Sequence, residues 1–170
     1  DTKAIQTAIN AAPNNTRFYF PAGTYQLNNI NITNRSQLQF DGDGDLTVLQ
    51  YRGVPTGYVF MMTFSGVTDL VIQNLAWDNK AIPNYGGVRF YNVKRVRIQH
   101  THFFDSNKQP QDRGDHYAYV FGYDPNPSED IQIVDNLIED LQLEVDQARH
   151  VEISRNVVIR GTKTAGIRLF

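Results

Sequence analysis

Apolar residues recur along this chain at two periods, and the change between them comes early. In the first dozen positions Ala4, Ile5, Ala8, Ile9 and Ala12 fall at helical spacing. Asp1 or Thr2 can supply the N-cap, and Pro13, Asn14 and Asn15 end the run. The pattern predicts a helix over about residues 2–12. From Phe18 onward the period drops to two. Phe18 and Phe20, Tyr25 and Leu27, Ile30 and Ile32, and Leu38 and Phe40 read as short strands punctuated by Pro, Gly, Asn or Ser.

Four later segments align without gaps: Leu70–Trp77, Val96–Phe103, Ile131–Ile138 and Val151–Val158. Each carries apolar residues at its first, third and eighth places around a polar corner, and the starts lie 26, 35 and 20 residues apart. Further strands fall between them at Val88–Phe90, Tyr117–Tyr123, Leu143–Val145 and Ile167–Leu169. In the Tyr117–Tyr123 run, alternation leaves open whether Tyr119 and Phe121 or Ala118 and Val120 face inward. A strand–corner–strand unit cannot bury its inward face alone, so copies must stack. Three strands per unit predict an all-β fold: a single-stranded right-handed parallel β-helix of about five or six coils, capped by the N-terminal helix. The expected inward set is Ile5, Ile9, Leu38, Phe40, Leu70, Ile72, Trp77, Val88, Phe90, Val96, Ile98, Phe103, Ile131, Ile133, Val151, Ile153, Ile167 and Leu169.

The helical opening followed by Phe20-Pro-Ala-Gly-Thr-Tyr25 resembles the start of pectin-lyase-like β-helix proteins, in which a short helix caps the first coil. Gln37–Leu49 is similar to the family's next element, a strand, a Gly-rich corner and a second strand. The superfamily holds polysaccharide lyases, glycoside hydrolases and phage tailspike-like proteins. The resemblance therefore implies a carbohydrate-active protein, a lyase or hydrolase acting on an acidic polysaccharide, secreted or displayed on a cell or virion surface. The alternative is a non-catalytic carbohydrate-binding, tailspike-like or adhesin-like module, since no Asp-Asp pair sits on a predicted cleft strand. The family's strand and acidic-glycine loop ahead of the capping helix are absent, and the chain stops inside a predicted strand. Residues 1–170 are thus expected to be one β-helix domain that is a fragment of a longer β-helix, or whose open end is covered by self-association or another chain.

Composition narrows the partners. The 170 residues amount to about one domain. Sixteen Lys and Arg against eighteen Asp and Glu leave a net charge of −2, which disfavours a nucleic-acid clamp. No apolar run approaches the roughly 20 residues of a membrane span. With no cysteine, disulfides, thiolate zinc sites and a cysteine nucleophile are excluded.

In the resembling family the substrate cleft follows the strands that precede the Val-x-Ile segments. If Val88 and Phe90 point inward, Arg89 points out, and so do Glu144 and Arg168. Glu144 should then lie one strand from Arg168 and two from Arg89. Guanidinium groups match sugar carboxylates or sulfates, and a carboxylate among them suits a base or a substrate clamp. The competing reading is a cross-strand charge ladder on a solvated face. The stretch Phe104–Ala118 adds Asp105, Asp112, Asp115 and His116 as acid or base candidates, and Arg113, His116 or Tyr117 for proton abstraction beside a uronic carboxylate. It reads equally as a polar surface loop. Tyr85, Tyr91, Tyr117, Tyr119 and Tyr123 can stack on sugars or simply pack. No cofactor is expected. Asp41-Gly-Asp-Gly-Asp45 resembles part of a calcium loop but lacks the downstream bidentate Glu. His100 falls in a polar corner and His102 in the adjoining strand, and with His116 they do not make a convincing set of zinc ligands. Asn136 and Asn156 share a corner position, where an amide can satisfy backbone groups.

Overall fold

The computed structural model describes residues 1–53, 60–80, 86–106, 117–122, 126–159 and 166–169. The helical period forms α1 (Thr2–Ala11), which buries Ile9 and packs Ile5 against the core. Instead of capping its own helix, the Asp1 carboxylate accepts the Gln26 N–H at 2.8 Å. Gln6 brackets Asn31, accepting its N–H at 2.8 Å and donating to its carbonyl at 2.9 Å. At the other end Arg35 donates to the carbonyls of Ile9, Ala12 and Pro13 at 2.8, 2.6 and 2.8 Å. A helix C-terminus leaves carbonyls without intrahelical partners and carries partial negative charge, so one guanidinium answers both needs.

Strands follow at β1 (Thr16–Phe20), β2 (Gly23–Leu27), β3 (Ile30–Thr33) and the long β4 (Ser36–Tyr51). Next come β5 (Met62–Ser65), β6 (Thr68–Asp78), β7 (Val88–Tyr91), β8 (Lys94–Gln99) and β9 (His102–Phe104). The remainder are β10 (Tyr117–Phe121), β11 (Ser128–Val134), β12 (Leu137–Glu139), β13 (Gln142–Val145), β14 (Ala148–Ser154), β15 (Val157–Ile159) and β16 (Ile167–Leu169). One sheet has ten strands, in the order β14-β11-β8-β6-β9-β12-β15, with β4 joining β1, β2 and β6. The other has six, in the order β16-β13-β10-β7-β5-β3.

This architecture corrects the expectation of a single-stranded right-handed β-helix. Three strand series wound into closed coils were expected. The described residues form two parallel sheets and one helix, and trace no closed solenoid. The reason lies in β4 and β6, whose strand pairing continues through the places where corners were expected. Register shifts at Asp41/Gly44 and Gly44/Val48 let β4 stay paired with β6, and β6 pairs with both β8 and β9. Two expected faces thereby merge into one sheet. Alternation specifies which residues pair sideways, but the path between sheets depends on the connecting segments.

Within the ten-stranded sheet Leu70, Val96, Ile131 and Val151 stand side by side, as do Ile72, Ile98, Ile133 and Ile153. Most of the expected inward set is buried, but Ile5, Val151 and Ile153 are only partly so. Ile167 and Leu169 are 40% and 65% exposed, on a strand outermost in its sheet. The ambiguity in β10 resolves with Tyr119 and Phe121 inward, opposite Val88 and Phe90. A register irregularity between Tyr117 and Tyr119 brings Ala118 into the same core. In-register aromatic residues form a stack, with Phe64 to Phe90 at 5.3 Å and Phe90 to Phe121 at 4.4 Å. Trp77 and Phe103 stack likewise at 5.7 Å.

The corners are held by side-chain amides. Asn74, His100, Asp135 and Arg155 occupy the same place in the four aligned segments, and all have φ between 51° and 57°. Such backbone turns the chain while exposing carbonyls that need donors. Buried Asn136 supplies them, donating to Ile98 and Val134 carbonyls at 3.1 and 2.9 Å. Its oxygen accepts from the Thr101 N–H and hydroxyl at 3.0 and 2.7 Å. Asn156 extends the ladder by accepting the Asn136 N–H at 3.0 Å.

Asn136→Ala should lower the unfolding free energy by about 3 kcal/mol, because several buried partners lose their bonds at once. Arg35→Ala should cost about 2 kcal/mol through the helix carbonyls. Urea denaturation at neutral pH reads both, and losses under about 0.5 kcal/mol would refute these roles.

Candidate functional site

Parallel register on the six-stranded sheet sets Thr63, Arg89, Val120, Glu144 and Arg168 in one row across β5, β7, β10, β13 and β16. Glu144 is directly opposite Arg168, its carboxylate 3.3 Å from the guanidinium, and two strands from Arg89. The Arg89 guanidinium lies 4.1 Å from the ring centre of Tyr91 and 4.8 Å from that of Phe60. Phe60, Tyr117 and Val120 form a small apolar cluster separate from the main core.

This row is not the solvated ladder that alternation suggested. The Glu144 side chain is 2% exposed and that of Arg168 31%. All described residues of β10 and β13 are buried, on both faces of the sheet. Alternation identifies the two faces of a strand but cannot say whether the outer one is covered. An ion pair in such surroundings is costly to break by removing one partner, since the other charge stays desolvated.

A neighbouring amide and a glycine hold the strands of the row together. Buried Asn79 accepts the Gly87 N–H at 3.0 Å and donates to the Tyr117 carbonyl at 3.2 Å. Gly87 has φ +74°, and a Cβ there would collide with the carbonyls of Tyr117 and Ala118. Only glycine lets the backbone approach β10 so closely.

The other sequence candidates separate. Tyr119 lies inside the core, its hydroxyl 2.6 Å from Thr101 Oγ1, and burial pushes its pKa far above the usual phenol range. It faces no external ligand. Asp105 is half-buried directly after β9, outside the row. Tyr85, Asp112, Arg113, Asp115, His116 and Tyr123 fall outside the described residues. Sequence reasoning missed Phe60 and Gln142, the latter wholly buried opposite Tyr117. Phe60 belongs to none of the aligned segments, so no periodic signal marks it.

The carboxylates of the Asp-Gly-Asp-Gly-Asp run go to separate partners. Asp41 is bound by Arg17 at 2.5 Å and by Asn74 at 3.0 Å. Asp43 accepts from Tyr19 at 2.6 Å and from the Ala22 N–H at 2.9 Å. Asp45 meets His102 at 3.1 Å, and that ring also lies 3.4 Å from Glu139. Among the described residues no cluster of three or more His, Asp or Glu groups could hold a metal ion. Burial pushes the pKa of Asp41 upward, but hydrogen bonds from Asn74 and Arg17 outweigh it and hold the carboxyl below its ordinary value.

No protein-family profile matches the sequence. No curated protein matches it either. Among solved structures the chain is similar to one titled a "putative glycosyl hydrolase" from Parabacteroides merdae, with a TM-score of 0.52. The match covers 94% of this chain and 87% of that one at 14% identity. At that identity the likeness is one of fold. No helix among the described residues is long and apolar enough to cross a membrane.

The depressed Asp41 pKa gives stability a defined acid dependence. Its contribution is complete above the unfolded-state value of about 3.9 and is lost as pH falls through the lower folded value. Asp41→Asn should therefore flatten the decline in unfolding free energy below about pH 4. Urea titrations at stepped pH measure this, and a slope equal to that of the parent would remove Asp41 as the cause.

Proposed function

We propose that the chain is a carbohydrate-active protein, exposed outside the cell or on a virion, that engages an acidic polysaccharide through the row around Glu144. The observation that carries this reading is the convergence of Glu144, Arg168 and aromatic-flanked Arg89 on one face of the six-stranded sheet. The fold likeness to a protein titled a glycosyl hydrolase supports it. In this reading Arg89 and Arg168 take the acid groups of the glycan in planar, two-point contacts. Tyr91 and Phe60 hold the Arg89 guanidinium flat, lowering the entropy lost on binding.

For an anionic glycan, Glu144 acts as the base that removes the proton beside a uronic carboxylate. Arg168 stabilises the charge that builds on that carboxylate. The C–O bond at the neighbouring carbon then breaks, leaving an unsaturated uronate end, and the departing glycosidic oxygen takes up a proton from solvent. For hydrolysis, Glu144 pairs with a second carboxyl group, and their separation sets inversion or retention. One observation favours binding without cleavage: Glu144 is 2% exposed and already engaged by Arg168, so a substrate acid group must displace it to reach the arginine.

A panel of soluble polysaccharides, followed by ultraviolet absorbance and by reducing-end release, separates the readings. Absorbance with reducing ends means elimination, reducing ends alone mean hydrolysis, and retention on an immobilised glycan without products means binding. Glu144→Gln should cut turnover at least tenfold, and Arg89→Ala should weaken glycan binding at least tenfold. Circular dichroism checks the fold of both. Full activity in both variants, or no interaction with any glycan, would sink this site.

A further inference from the structure

A concavity lies on the ten-stranded sheet. It has a volume of about 680 Å³ and crosses β6, β8, β11 and β14. A hollow of about 270 Å³ on β1 and β4 borders it, sharing Asp69 and Val71, so that the two together cross six strands. At about 4.8 Å per strand, six strands give them a length of about 24 Å across the sheet.

Two rows of side chains line the deeper part. Asp69, Arg95, Asp130 and His150 form the first, all with φ between 52° and 56°. The four bond in pairs: Arg95 grips Asp69 at 2.6 and 2.8 Å, and His150 meets Asp130 at 3.1 Å. The in-register residues Val71, Arg97, Gln132 and Glu152 form the second row. Here the bonding differs. Arg97 donates to the amide oxygens of Gln99 and, at 3.2 Å, of Gln132. Gln132 donates onward to Glu152 at 3.1 Å, and Gln99 to Gln73 at 2.8 Å.

The exposed Arg97 guanidinium is thus oriented by neutral amides and hydrogen-bonded to no carboxylate among the described residues. Its remaining N–H groups are free to meet a planar anion, the geometry in which guanidinium recognises carboxylate or sulfate. The flanking amides both donate and accept, as sugar hydroxyls require. Among the described residues no Phe, Tyr or Trp lines the groove, and charged and amide side chains alternate with apolar ones along it. Strand spacing also approximates the rise of one sugar residue in an extended glycan, so successive sugars meet successive rows.

We propose that this groove is a second glycan-binding surface, on which a linear acidic polysaccharide lies across the strands. One acid group sits on Arg97, and hydroxyl groups contact the Gln99 and Gln132 amides. This rests on the reading of the chain as carbohydrate-active but uses a different sheet from the row around Glu144.

The test is a titration of the whole chain with a hexameric oligouronate and with its carboxyl-reduced, neutral counterpart. Side-chain amide NMR signals of Gln99 and Gln132 report on the groove, and calorimetry reports affinity. The oligouronate should shift both signals, and Arg97→Ala should weaken the binding they report at least tenfold without lowering Tm. The neutral oligosaccharide should bind the parent and the variant alike. Unmoved Gln99 and Gln132 signals, or equal uronate affinity in parent and Arg97→Ala, would overturn the groove. If Arg89→Ala alone abolishes binding in that case, the row around Glu144 still stands. Failure of the parent to bind any glycan would remove both.

Discussion

Sideways, in-register pairing of parallel strands at about 4.8 Å is the constraint on which the rest of this structure depends. Each side chain in a sheet has the residue of equal position on the next strand as its nearest neighbour. Inside, that favours like against like, as in the stack of Phe64, Phe90 and Phe121. At the corners it builds the amide ladder of Asn136 and Asn156, where each asparagine serves the backbone of the level beside it. Outside, equal charges would repel at that spacing, and the sequence alternates them instead. Asp69 meets Arg95, and Asp135 meets Arg155.

The same rule produces two surfaces with different electrostatics. On the ten-stranded sheet the charged pairs stay exposed, where water and salt screen them and each contributes little to stability. Their use is to fix geometry: Arg95 and Asp69 lock one another, and the Gln side chains hold Arg97 in place. On the six-stranded sheet Glu144 is withdrawn from water with Arg168 beside it. A buried pair is a poor source of stability and a costly thing to disturb. Asn79 and Gly87 set how closely β7 and β10 of that row approach.

Local periodicity determined a good deal of this protein. The helix, the inward apolar positions from Leu38 to Ile133, and the placement of Arg89, Glu144 and Arg168 at equal register all follow from spacing along the chain. These are properties of neighbours within a strand or of strands carrying the same pattern, and one-dimensional order suffices for them. Tertiary structure alone decided what depends on segments distant in sequence. It merged two expected faces into one ten-stranded sheet through β4 and β6, where three separate series were expected. It turned Tyr119 inward, placed Phe60 on Arg89, and covered the outer face of β10 and β13. Alternation names the two sides of a strand. Which side meets water is settled by whatever packs over it, and no spacing within the strand carries that information.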